Sequence, residues 1–221
     1  MADEPSISIA PDGPYLVNTA PLVVRTPVKT AAGEPIAWER VGTLETRERY
    51  ALCRCGSSER KPFCDGTHAR IGFDGTEVAS GTYDERAKPI GGADVVVRDD
   101  RSICVHAGFC GTAATNVWKM AGAADATETR SLMLAMIERC PSGALTYRFD
   151  GAAADNETAL PAQIAVVPDG PLVVTGGLPI TRADGQPLEA RNRTTLCRCG
   201  QSRNKPLCDG THAEVGFTHT P

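Results

Sequence analysis

The sequence predicts an α+β chain built from small modules, with β-rich segments at both ends and a mixed segment between them. Three observations carry this. The 221 residues include 22 Gly and 16 Pro, about 17% together against roughly 12% in average usage, which favours turns and short strands over long helices. Residues 51–73 and 195–217 match without a gap from Leu52 to Phe73 against Leu196 to Phe217, as expected of one structural unit used twice. Between the copies, Met133, Met136, Ile137 and Cys140 recur at helical spacing between two segments that read as strands.

Upstream of the gapless repeat, Pro11-Asp12-Gly13-Pro14 matches Pro168-Asp169-Gly170-Pro171, and Gly33-Glu34-Pro35 matches Gly185-Gln186-Pro187. The first module therefore spans 1–91, and the second, shorter one spans 160–221. In the first, Leu16-Val17 and Pro21 to Val24 are short strands; in the second, Leu172 to Val174 is their counterpart. Ala183-Asp184-Gly185 supplies a hairpin turn between Pro179-Ile180-Thr181 and Pro187-Leu188. Asp65 and Asp209 suit the N-cap of a short helical turn. Residues 92–159 form the middle domain. Asp94 to Arg98 and Ala144 to Phe149 read as strands, and Glu128 to Arg139 as a helix. Asp125 starts that helix in the manner of a capping box. Ala152 to Glu157 reads as a linker.

Composition removes several classes of function. Hydrophobic residues make up 41% and charged residues 23%, so the chain is globular. With two Trp, four Tyr and five Phe, aromatic packing is scarce, and small modules need another anchor. Ser102 to Trp118 is the longest stretch without Asp, Glu, Lys or Arg; His106, Asn116 and its Gly and Thr residues unfit it for a membrane. The N-terminus, Met-Ala-Asp-Glu-Pro, lacks the apolar run of a signal peptide. A net charge of −4 argues against a nucleic-acid partner. The expectation is a cytoplasmic protein with no membrane association.

Nine cysteines without an export signal point to metal binding rather than disulfides. They fall in three sets of three. Cys53, Cys55 and Cys64 are completed by His68, and Cys197, Cys199 and Cys208 by His212, both spaced C-x-C-x8-C-x3-H. Each set is two ligand pairs, suited either to one structural zinc or to the two irons of a [2Fe–2S] cluster.

Both stretches resemble the CDGSH iron–sulfur domain (NEET) family, whose signature is C-x-C-x2-[ST]-x3-P-x-C-D-G-[SAT]-H. Ser58 and Ser202, Pro62 and Pro206, and the blocks Cys64-Asp65-Gly66-Thr67-His68 and Cys208-Asp209-Gly210-Thr211-His212 fill its remaining positions. The resemblance implies a [2Fe–2S] cluster in each copy, one iron on the Cys-x-Cys pair and the other on Cys and His. It also implies two-fold association, here as an internal pseudo-dimer of the two copies in a monomer rather than a homodimer. Arg54, Arg198, Lys61 and Lys205 recur beside the ligands, placed to balance cluster charge, to dock a partner, or as ordinary surface charge.

Cys104, Cys110 and Cys140, the last followed by Pro141, resemble a bacterial-type ferredoxin pattern whose second cysteine is replaced by Ala107. This implies a divergent single-cluster ferredoxin-like domain inserted between the CDGSH modules. Three cysteines suit a [3Fe–4S] cluster; a [4Fe–4S] cluster needs a fourth ligand, for which His106 has the right chemistry. His219 reads as an exposed tail residue. No dinucleotide loop, P-loop or nucleophile constellation appears, so a non-enzyme is expected. The leading expectation is electron transfer to a redox partner protein, which the acidic middle domain (9 Asp/Glu against 6 Lys/Arg) would help dock. The alternatives are a carrier or sensor releasing clusters to an apo-protein acceptor, and a structural zinc module.

Overall fold

The structure is a computed structural model that describes residues 4–92, 94–122 and 127–221. In chain order the first copy supplies β1 (Ser6–Ile9), β2 (Tyr15–Asn18), β3 (Leu22–Lys29), β4 (Pro35–Leu44), β5 (Arg49–Leu52) and the single turn α1 (Thr67–Arg70). A further turn, α2 (Tyr83–Arg86), leads into β6 (Lys88–Gly91), β7 (Val95–Asp99), α3 (Val117–Ala121), α4 (Thr127–Glu138) and β8 (Leu145–Phe149). The second copy follows as β9 (Gln163–Val166), β10 (Leu172–Thr175), β11 (Ile180–Thr181), β12 (Arg193–Leu196) and the turn α5 (Thr211–Glu214).

A Pro-Asp-Gly-Pro turn follows the first strand of each copy. Asp12 and Asp169 adopt positive φ (44° and 52°), and the turns close through Ala10 N–H to Pro14 O and Val167 N–H to Pro171 O. Aspartate tolerates this left-handed region better than most residues. The turns set β1 antiparallel to β2, with Ile9 opposite Tyr15, and β9 antiparallel to β10, with Val166 opposite Leu172.

The next strand of each copy crosses to the other. β3 runs parallel to β9, with Leu22 opposite Ile164 and Val24 opposite Val166. β11 runs parallel to β1, with Ile180 opposite Ile7. Two sheets result, ordered β11-β1-β2-β5 and β12-β10-β9-β3-β4. Their inward residues form one core drawn from both copies, including Ile7, Tyr15, Leu22, Leu52, Ile164 and Leu196, each at most 1% exposed. Each such aliphatic side chain contributes roughly 1.5–3 kcal/mol on burial. Modules this small bury too little surface alone, and sharing a core remedies that.

The antiparallel sheet β6-β7-β8 carries α3 and α4 against one face, with Met133, Met136 and Ile137 of α4 buried against Val95, Val97 and Tyr147. Trp38 of β4 ties this unit to the first copy: its ring stacks 4.9 Å from Phe109 and its indole N–H donates to Arg139 O at 2.9 Å. Arg193, 4% exposed, ties it to the second: it donates to Ile137 O (2.8 Å) and Cys140 O (2.9 Å) and pairs with Glu157 (2.8 Å). Among the described residues no helix is long and apolar enough to cross a membrane.

Several expectations are revised. The middle sheet recruits Lys88–Gly91 from ahead of residue 92. The expected linker is pinned, because Asp155 pairs with Arg98 and Arg148, and Asn156 bridges to Tyr147. The helix start assigned to Asp125 lies outside the described residues. Gly66 and Gly210, at φ 87° and 89°, occupy the N-cap positions expected for Asp65 and Asp209. The aspartates stand one residue earlier and still accept the first N–H of each turn, from Thr67 (3.0 Å) and Thr211 (3.1 Å).

Candidate metal centres

Each copy presents its cysteines on a loop closed by its own last strand. Cys53 N–H donates to Pro62 O (2.8 Å) and Cys64 N–H to Ala51 O (2.9 Å); Cys197 to Pro206 O (2.9 Å) and Cys208 to Thr195 O (2.9 Å) repeat the pattern. Inside the loops Ser58 donates to Phe63 O (2.7 Å) and Ser202 to Leu207 O (2.6 Å). The second carboxylate oxygen of Asp65 accepts Glu59 N–H, and that of Asp209 accepts Arg203 N–H, both at 2.9 Å. Each aspartate thus ties the ligand loop to the helical turn that presents the histidine.

The side chains come in pairs. Cys53 Sγ and Cys55 Sγ are 3.8 Å apart, as are Cys197 Sγ and Cys199 Sγ. Cys64 Sγ lies 3.4 Å from His68 Nδ1, and Cys208 Sγ 3.3 Å from His212 Nδ1. Two thiolates bound at roughly 2.3 Å to one tetrahedral metal stand about 3.8 Å apart, and a thiolate and an imidazole about 3.6 Å. Each pair therefore has the bite of one metal ion. Among the described residues no three His, Cys, Asp or Glu side chains close on a single ion position. Burial pushes the Cys55 thiol up to about 11 and the Cys208 thiol to about 12. Thiolates there need the positive charge of bound metal to form.

The middle cysteines converge from three elements. Cys104 follows a 3-10 turn at Arg101–Ile103, Cys110 precedes α3, and Cys140 follows α4. With His106 and Trp118 they line one cavity of about 160 Å³. Burial, then the neighbouring Cys140 and Cys104, raises the Cys110 pKa. His106 takes φ 55°, and its ring turns toward the second copy's loop at Gly210.

Two family models cover the segments that carry these side chains. The family described as an iron-binding zinc finger of CDGSH type matches residues 12–69 and again 169–213. Between them, a divergent 4Fe-4S mono-cluster family matches residues 90–150. The chain is an iron–sulfur protein with two CDGSH regions around a divergent 4Fe-4S region. The comparisons with curated proteins and with solved structures found no match.

Arg54 and Arg198 of the CDGSH regions are each 1% exposed, so neither reaches a docking partner. Arg54 donates to Gly75 O (2.6 Å) and pairs with Glu77 (3.2 Å). Arg198 donates to Gly170 O (2.9 Å) and Val167 O (2.6 Å), with its guanidinium over Phe217. Burial lowers the Arg198 pKa to about 10, partly offset by Cys53 of the other CDGSH region. A cation so placed offsets negative charge gathered on the ligand loops. Lys61 and Lys205 brace their own loops through Ser58 O (2.5 Å) and Ser202 O (3.1 Å). His219 is half-buried, in contact with Arg198 Nη1 (2.5 Å) and Lys61 O (3.0 Å). Sequence reading missed Tyr15, whose hydroxyl donates to Cys197 O at 2.8 Å. Its counterpart Leu172 carries no such group, so the repeat held no signal for it.

Proposed function

We propose that this protein transfers electrons, holding a [2Fe–2S] cluster in each CDGSH region and a third cluster in the 4Fe-4S region. The observation that carries this reading is the pairing of donors at single-metal bite distances, twice per CDGSH region. On it, Cys53/Cys55 and Cys64/His68 hold the first cluster, and Cys197/Cys199 and Cys208/His212 the second. Cys104, Cys110 and Cys140 hold a [3Fe–4S] or, with His106 as a fourth ligand, a [4Fe–4S] cluster. The clusters supply one-electron chemistry, and replacing a thiolate by neutral imidazole makes reduction easier, as in Rieske centres.

The chain's own residues supply the frame. Asp65 and Asp209 hold each histidine turn against its loop, and buried Arg54 and Arg198 balance charge beside the ligands. The strand exchange and shared core support treating the CDGSH regions as an internal pseudo-dimer with the ferredoxin-like domain as the insertion. The protein acts on no organic substrate and meets a redox partner protein as a monomer in the cytoplasm. Protein purified without air, analysed for iron and sulfide and by EPR, tests the reading. About seven or eight irons per chain and three reversibly reducible signals are expected. Zinc without sulfide would establish the structural zinc reading instead, and transfer of intact clusters to apo-ferredoxin without reversible reduction the carrier reading.

A further inference from the structure

The two CDGSH loops share a motif and a backbone path, yet their surroundings differ. At Gly66 a side chain would meet nothing within 4 Å. At Gly210 the first side-chain atom would lie 2.5 Å from His106 Cδ2 and 3.2 Å from Cys104 O. Gly66 is exposed and Cys64 partly so, whereas Gly210 is buried and Cys208 is 1% exposed. The cover is the loop that carries the middle cysteines. Asn204 donates to Ser102 O at 3.0 Å, where the equivalent Arg60 is exposed. A cavity of about 120 Å³ has both His106 and His212 in its wall. On their other side the CDGSH loops stand back to back, Gly56 against Cys199 O and Gly200 against Cys55 O.

We propose that the two CDGSH sites are functionally divided. His106 seals the C-terminal site and seats it against the middle cysteines, leaving the N-terminal site, around Gly66 and His68, as the face that exchanges electrons with a one-electron redox protein. The contacts order the three sites as middle, C-terminal, N-terminal. Exchange at the open face moves one electron and no bond: the partner is reduced as the N-terminal site is oxidised, or the reverse. This inference rests on the electron-transfer reading.

The test uses full-length protein with all sites loaded, at constant neutral pH. Loss of the [2Fe–2S] absorption to an iron chelator is expected in two phases of equal amplitude. Cys64→Ser removes the fast phase, and His106→Gly, which suits the positive φ at that position, merges both into one fast phase. In a second measurement, ferricytochrome c oxidises the reduced protein rapidly; Cys64→Ser abolishes the rapid phase and Cys208→Ser retains it. A single chelation phase in the wild type, or equal effects of the two serine variants on oxidation, would overturn the division of roles. So would a change in the middle site's EPR signal in His106→Gly with no change in chelation, which makes His106 a ligand and not a seal. Absence of iron and sulfide from both CDGSH sites would instead sink the underlying reading.

Discussion

His68 and His212 are the points where acid enters the proposed chemistry, because a metal-bound imidazole must stay unprotonated. Asp65 and Asp209 respond in a different window. Hydrogen bonds from Thr67 and Glu59 hold Asp65 far below the usual carboxylate range; bonds from Thr211 and Arg203 hold Asp209 below it against the opposing effect of burial. A depressed carboxylate contributes stability that is present above its unfolded value near 3.9 and is lost as pH falls through the lower folded value. Cluster loss at milder acidity than that window therefore belongs to the imidazole ligands rather than to these carboxylates. His68→Cys and His212→Cys are each expected to slow acid bleaching of their own cluster, because each replaces the imidazole by a thiolate ligand. Stopped-flow absorbance checks this, and unchanged rates would reject histidine ligation. Arg198 gives a second test. Removing its buried guanidinium strands Gly170 O and Val167 O, so Arg198→Ala is expected to destabilise by about 3 kcal/mol in chemical denaturation. An effect below about 0.5 kcal/mol would place Arg198 among ordinary surface charges.

Among the elements, β9 bears most on the shared core, lying between β10 and the crossing strand β3. Ile164 is 0% exposed and Leu16, on the outer side of β2, is 48% exposed. Ile164→Ala should cost about 2–5 kcal/mol and Leu16→Ala less than about 0.5 kcal/mol, measured as midpoints of unfolding. Similar losses at both positions would mean the crossing is not part of the stable core. Elements with strong local signals were readable: the α4 helix from its apolar spacing, β7 from its valine run, β8 within the strand read at Ala144 to Phe149, and the hairpin at Asp184-Gly185 from its turn residues. β4 was not, because Pro35–Leu44 is a partly exposed edge strand whose side chains show no apolar alternation. α3 was too short to show a period and depends on Asn116, which accepts Lys119 N–H at 2.9 Å. The apparent linker at 152–157 is polar because Asp155 pairs with the half-buried Arg98 and Arg148 and Glu157 with the buried Arg193.

For the whole molecule, the β3–β9 and β1–β11 pairings give strands of each copy a partner from the other within one chain. Sedimentation of the loaded protein should accordingly give a single species near the chain mass of 23.3 kDa, unchanged on dilution. A species of twice that mass that dissociates on dilution would point to exchange between chains.

The sequence by itself determined which donor side chains pair within each CDGSH loop. Ligand pairs are set by spacings of two and four residues, and local backbone geometry enforces these wherever the loop sits. The tertiary structure alone decided that two identical motifs live in different surroundings. The Cys104–Gly108 loop covers Gly210 and leaves Gly66 open, a contact between positions over a hundred residues apart. It also decided that Arg54 and Arg198 lie inside the protein rather than on its surface. Burial depends on what distant segments pack above a residue, and a motif repeated in sequence carries no record of which copy is covered.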